Sequence, residues 1–243
     1  MENPPSEPVP VVPDVLEHGH SSDGQKLTSD RRLYMQLQTF TGCNDSEACI
    51  DFIKNQPWDA VVYQDAADPW GLGLLLMHTD PEFFVSQVFP ALKNSPFSAL
   101  TRHNNGNLFA RSYSIGYESD LEHTLVNRPR SRALNPEYPW VVWYPLRRTG
   151  AFAKLTKREK MKILGEHGTI GRAWGDKNLA HDIRLASFGM DRDDNDFVVA
   201  LVGDQLLPLS KIVEVMRGTV QTSTYIEKLG PFFVGKVVYQ SAL

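Results

Sequence analysis

Three groups of residues in the second half of the chain have the types and spacing that chemistry requires. The first is His167, within Glu166-His167-Gly168-Thr169-Ile170-Gly171-Arg172. Counted by three and four, Lys160, Ile163, Leu164, His167, Ile170, Gly171 and Trp174 share one helix face, so the imidazole sits on a mainly apolar stripe. Two readings stay open: a core histidine bonded to a backbone carbonyl, or an axial ligand to iron. Gly168 and Gly171 each cost a helix about 1 kcal/mol. They would also let a flat macrocycle approach the backbone, which favours the ligand reading without deciding it.

The second group is Arg130, Arg132, Tyr144, Arg147 and Arg148. Strand alternation puts Tyr144 with Val142 and Leu146, as a packed tyrosine or a reactive one. The arginines are either a solvated rim or forks for carboxylates. The third group is Met216-Arg217 followed by Thr222, Ser223 and Thr224. Hydroxyls after a helix mark a turn, or they are further donors to a carboxylated ligand.

These side chains need elements to position them. Thr156 and Glu159 form a capping box that starts a helix running to Trp174. Around it lie a strand over Trp140–Leu146, strands over Ile183–Met190 and Phe197–Val202, a helix over Pro208–Met216 and a strand over Phe232–Tyr239. The first half repeats that order. It has a strand over Leu33–Phe40, a helix over Ser46–Asn55 capped by Ser46, strands at Val61–Tyr63 and Gly71–His78, a helix from Asp80-Pro81-Glu82 to Leu92, and a strand over Ala110–Tyr117.

The expected fold class is therefore α+β: two tandem ferredoxin-like halves with antiparallel sheets, packed as one unit of the dimeric α+β barrel type. Residues 1–30, with five of the sixteen prolines and the tract His18-Gly19-His20-Ser21-Ser22, read as a disordered tail whose histidines are solvated. The N-terminal half spans 31–120. Residues 121–139, containing Asn127-Arg128-Pro129-Arg130, read as a linker, and 140–243 as the half with the site.

Composition narrows the function class. The 243 residues are 42% hydrophobic and 22% charged, with net charge −4, which excludes fibrous and wholly disordered chains. The acidic balance argues against nucleic-acid coating yet allows a local basic pocket. Two cysteines are too few for a disulfide framework. No apolar run is long enough for a spanning helix and no secretory signal is visible, so neither nucleic acid nor membrane is expected as a partner and the cytoplasm is the expected location.

The motifs Trp143-Tyr144-Pro145-Leu146-Arg147-Arg148, Glu166-His167-Gly168 through Gly171-Arg172, Ser187-Phe188-Gly189-Met190-Asp191, Glu214 with Met216-Arg217, and Gly230-Pro231-Phe232-Phe233-Val234-Gly235 resemble the chlorite dismutase family. They stand in the family's order over about 140–236. The resemblance implies the tandem fold, a homopentamer, and an iron porphyrin in the C-terminal half with His167 as its proximal ligand. Chlorite dismutases carry a distal arginine after that histidine; the count here falls on Ala180 or, with a short insertion, on Asp182.

Tyr144-Pro145 instead resembles the coproheme decarboxylase branch, whose members convert iron coproporphyrin III to haem b with hydrogen peroxide. By that resemblance Tyr144 is the radical-forming tyrosine. Arg148, Arg130, Arg217 and Thr222 or Ser223 contact propionates, and His181 lies near bound peroxide. A chlorite dismutase or peroxidase-like enzyme, or a non-catalytic haem-binding protein, are the alternatives.

Overall fold

The structure is a computed structural model that describes residues 12–103 and 106–243. A hairpin of β1 (Glu17–His20) and β2 (Lys26–Ser29) precedes β3 (Tyr34–Thr41), α1 (Ser46–Lys54), β4 (Asp59–Asp65) and β5 (Leu72–His78). Then come a π-turn at Phe84–Val88, α2 (Phe89–Lys93), β6 (Thr101–Arg102) and β7 (Leu108–Arg111). A second π-turn at His123–Asn127 runs into α3 (Arg128–Ala133). The second half holds β8 (Trp140–Arg148), α4 (Gly150–Lys154), α5 (Lys157–Asp176), β9 (His181–Ala186) and β10 (Phe197–Gly203). It ends with α6 (Leu206–Arg217), α7 (Val220–Tyr225), β11 (Ile226–Leu229) and β12 (Phe233–Gln240).

Each half has the ferredoxin-like strand order, β7-β3-β5-β4 in the first and β12-β8-β10-β9 in the second. Antiparallel seams join the halves: β12 pairs with β4, and β7 meets β9 at Arg111 and Ala186. Eight strands thus close into a barrel, with β6 and β11 added beside β3 and β8. Strand alternation sends Met35, Leu37, Val61, Tyr63, Leu75, Val141, Trp143, Ile183, Val198 and Phe233 into one interior core. Burial of each large apolar side chain contributes roughly 1.5–3 kcal/mol.

The outer face of the first half is covered by α1, whose Cys49, Ile50 and Ile53 are buried, and by Phe84 and Val88 of the first π-turn. The outer face of the second half lies beneath α5 and α6. There Leu209 and Ile212 of α6 are buried, whereas α5 has no buried residue over its 20 positions.

Three expectations are corrected. The 12–30 stretch is ordered as the β1–β2 hairpin, because Glu17 is buried between Arg32 (3.1 Å) and Arg111 (3.0 Å); Pro4, Pro5, Pro8 and Pro10 lie outside the described residues. The 121–139 segment is largely helical: its wide π-turn precedes Pro129, and the same device precedes Pro90, where a regular turn would lose a hydrogen bond. Leu121, Leu125 and Val126 anchor that helix. Asp45, not Ser46, caps α1, accepting from the Ala48 amide at 3.2 Å.

Candidate functional site

The outer face of β8, β10 and β9 forms one wall of the site. Register places Tyr144, Val199 and Arg184 in one cross-strand row and Val142, Leu201 and Asp182 in the next. The Tyr144 ring packs on Phe232 with centroids 4.9 Å apart. Burial, with Asp182 adding to it, pushes the Tyr144 phenol well above its ordinary value, so it keeps its proton at neutral pH.

The α5 helix supplies the facing side chain. Its capping box is complete: Glu159 accepts from the Thr156 amide at 2.8 Å, and the Thr156 hydroxyl accepts from the Glu159 amide at 3.3 Å. His167 is half-buried, with Nδ1 3.4 Å from Thr219 Oγ1. The Thr219 hydroxyl has the Met216 carbonyl as its nearer acceptor at 2.8 Å, ahead of Thr222 Oγ1 at 3.3 Å, and with its proton there its oxygen is open to accept from His167 Nδ1–H. In that tautomer Nε2 keeps its lone pair, the form that binds a metal. Burial, then Arg148 and Arg184, hold the His167 pKa below its ordinary value.

Arg148 extends beyond Tyr144 on β8. Its guanidinium lies between the rings of Phe152 (4.6 Å) and Phe197 (4.5 Å), and its buried Nε has no hydrogen-bond partner. An unmet buried donor costs about 1–3 kcal/mol, which a bound anion would offset. Arg217 ends α6, exposed and without an ion pair among the described residues. The Thr222 amide donates to Thr219 Oγ1 at 3.4 Å, and the Ser223 hydroxyl donates to the Thr219 carbonyl at 2.9 Å. Thr222 and Ser223 thus brace the turn that orients His167.

Two expected residues lie elsewhere. Arg130 is bound bidentately to Asp59 (2.6 and 2.7 Å), on the first half of the barrel. It is half a helical turn from Arg128 and Arg132, which face β9. His181 alternates to the face of β9 opposite Asp182; it stacks on Tyr138 at 4.8 Å and bonds Asn178 at 2.7 Å. The sequence reading missed Thr219, Arg128 and Arg184. A period of two applied from Asp182 would have found Arg184.

The set fits an iron porphyrin with carboxylate arms. A methyl group built at Gly168 would meet nothing within 4 Å, and one at Gly171 only Met216 Cε at 3.8 Å, so the chain's own packing does not require either glycine. Among the described residues no three His, Cys, Asp or Glu side chains gather to hold a bare metal ion. A single histidine suits a metal that brings its own equatorial ligands.

The chlorite dismutase family model matches residues 85–238. The chain belongs to the chlorite dismutase family. Among solved structures, a protein from Thermus thermophilus described as a novel heme-binding protein is similar at 19% identity, covering 86% of this chain and 92% of that one, with a TM-score of 0.69. A variant chlorite dismutase from Candidatus Nitrospira defluvii in complex with cyanide is 14% identical, covering 87% and 92%, with a TM-score of 0.66. Another variant of that enzyme is 13% identical, covering 87% and 93%, with a TM-score of 0.64. At these identities the structures share the family's fold. Asp182, on the sheet face beneath α5, has its carboxylate bound to Arg132 (2.7 Å) and Arg184 (2.7 Å). Burial raises its pKa, but Arg184, Arg132 and Arg128 outweigh burial and hold it below the usual value. No helix of the described residues is long and apolar enough to cross a membrane.

Proposed function

We propose that this chain is a coproheme decarboxylase, an oxidoreductase of haem biosynthesis that uses hydrogen peroxide to turn two propionates of iron coproporphyrin III into the vinyl groups of haem b. It acts in the cytoplasm as a homopentamer. The observation that carries the reading is the pairing of a neutral, partly buried Tyr144, on the sheet face that Ile170 and Trp174 of α5 cover, with Arg148, whose buried Nε is unpartnered and whose charge acts on His167. The kinship to a haem-binding protein and to chlorite dismutases supports the porphyrin.

His167 Nε2 would hold the iron, and Thr219 would fix the ring that presents it. The bound iron porphyrin supplies the route by which peroxide withdraws electrons. Arg148 and Arg217 bind and orient propionate carboxylates, Arg148 with its free Nε–H. Tyr144 gives up its phenolic hydrogen atom and regains one from the propionate β-carbon. The radical left on that carbon gives up a second electron by the same route to peroxide, and as the vinyl double bond forms the carboxylate leaves as carbon dioxide. Each vinyl group formed consumes one peroxide and one proton and releases one carbon dioxide and two waters.

The test is mass spectrometry of protein loaded with iron coproporphyrin III and titrated with peroxide. Loss of two carboxylates is expected. A porphyrin with all four intact overturns the reading, and oxygen evolved from chlorite would identify a dismutase instead.

A further inference from the structure

A small cleft lies between α3 and β9, at the edge of the candidate site. Its lining includes Tyr113, Glu118, Thr124, Arg128, Asp182 and Arg184. The carboxylates there are already committed. Glu118 accepts from the amides of Ile115, Gly116 and Tyr117, each at 2.9 Å. Asp182 is held by Arg132 Nη1 (2.7 Å) on one oxygen and by Arg184 Nε (2.7 Å) on the other.

The Arg128 guanidinium, the terminal nitrogens of Arg184 and the Tyr113 hydroxyl are thereby left with no acceptor among the described residues. Burial, then Arg132 and Arg184, lower the Arg128 pKa, as three guanidinium groups gather at this cleft. The Tyr113 ring rests against Phe197 (5.5 Å), and that ring also carries the Arg148 guanidinium (4.5 Å). The cleft therefore adjoins the porphyrin-facing arginine without including it.

We propose that Arg128, Arg184 and the Tyr113 hydroxyl form an oxyanion subsite, separate from Arg148 and Arg217, that takes a carboxylate. Arg128 and Arg184 supply the charge-assisted donors and Tyr113 a neutral one. Asp182 is a positioning residue: its ion pair with Arg184 Nε fixes the guanidinium, whose terminal nitrogens make no hydrogen bond among the described residues. The carboxylate is either a free small molecule or an arm of the porphyrin. The subsite stands on the geometry alone, and only the second source rests on the function proposed above.

Two titrations separate the sources. In the first, sodium propionate is added to the full-length protein without porphyrin, at ionic strength held constant with chloride, and arginine side-chain NMR signals are followed. Saturable shifts of Arg128 and Arg184 in wild type, with the Arg184 shift lost in Arg128→Gln, establish the subsite with a free carboxylate. In the second, iron coproporphyrin III, with four carboxylates, and iron protoporphyrin, with two, are titrated by absorbance.

An affinity loss of about tenfold in Arg128→Gln for the first porphyrin alone establishes the subsite with a porphyrin arm. Absence of saturable propionate shifts, together with equal losses or none for the two porphyrins, overturns the proposal. Tyr113→Phe, which removes one hydroxyl and no charge, is expected to weaken the same ligand less and serves if Arg128→Gln does not fold. A wild-type protein that binds propionate but no iron coproporphyrin would remove the proposed function and leave the subsite standing.

Discussion

Tyr144 and Arg184 stand in one cross-strand row on the outer face of the barrel, with Val199 alone between them. Adjacent strands lie about 4.8 Å apart, so the two Cα atoms are roughly 10 Å from each other. The neutral phenol and the cation thus border one surface, and Asp182, which raises the phenol pKa, is also the group that anchors Arg184.

Replacement of Tyr144 by Phe tests the phenol separately from the fold. The ring keeps its contact with Phe232, so stability and iron-porphyrin affinity should stay near wild type. Decarboxylation should fall below detection by mass spectrometry. Unchanged turnover would take Tyr144 out of the chemistry.

Thr219 acts on His167 through one hydrogen bond. Thr219→Val removes the acceptor for Nδ1–H and frees the ring to rotate, and losses of this kind cost about 10–100-fold in metal affinity. Iron-porphyrin titration should show that loss, and Thr219→Ser should recover most of it. His167→Ala should abolish the spectrum of a histidine-ligated iron.

Arg148→Met should separate binding from stability. The buried guanidinium is stacked on two rings but has an unmet Nε, so a methionine that keeps the packing should change the melting temperature of the porphyrin-free protein by no more than about 2–4 °C. Affinity for iron coproporphyrin should fall. A large loss of thermal stability with unchanged affinity would make Arg148 a structural residue.

The sequence made the repeated strand order and the α5 capping box legible because both are local patterns of spacing. Closure of the barrel was not, since its seams, β4 with β12 and β7 with β9, join strands far apart in sequence. Arg130 was misplaced because residues 121–139 read as a linker around Pro129, and only a helix distinguishes Arg130 from Arg128 and Arg132. Missing Thr219 had a different cause: its role depends on the packing of the α6–α7 turn against α5. The order of the β1–β2 hairpin likewise rests on Glu17 meeting Arg111, a contact that local composition does not encode.

Arg130→Ala tests that correction. The bidentate pair with Asp59 is partly buried, and its loss should cost about 1–2 kcal/mol, lowering the melting temperature by several degrees. Porphyrin affinity should not change, because Arg130 points away from the site. A specific drop in affinity at unchanged stability would return Arg130 to the binding residues.

Acid should destabilise the porphyrin-free protein partly through His167. Burial, then Arg148 and Arg184, hold its folded-state pKa below the ordinary 6.5, so the unfolded chain binds more protons in the interval between the two values. The stabilisation is complete above pH 6.5 and is lost as pH falls through the folded pKa, below which it no longer changes. His181, lowered chiefly by burial, adds a slope of the same sign, so the informative quantity is the difference between wild type and His167→Gln. Denaturant midpoints at neutral and mildly acidic pH should converge for the two proteins as pH falls. The same depressed pKa lets Nε2 hold iron at a lower pH than an exposed histidine would, because proton and metal compete for one lone pair. Parallel pH profiles for the two proteins would show that His167 is not the group being titrated.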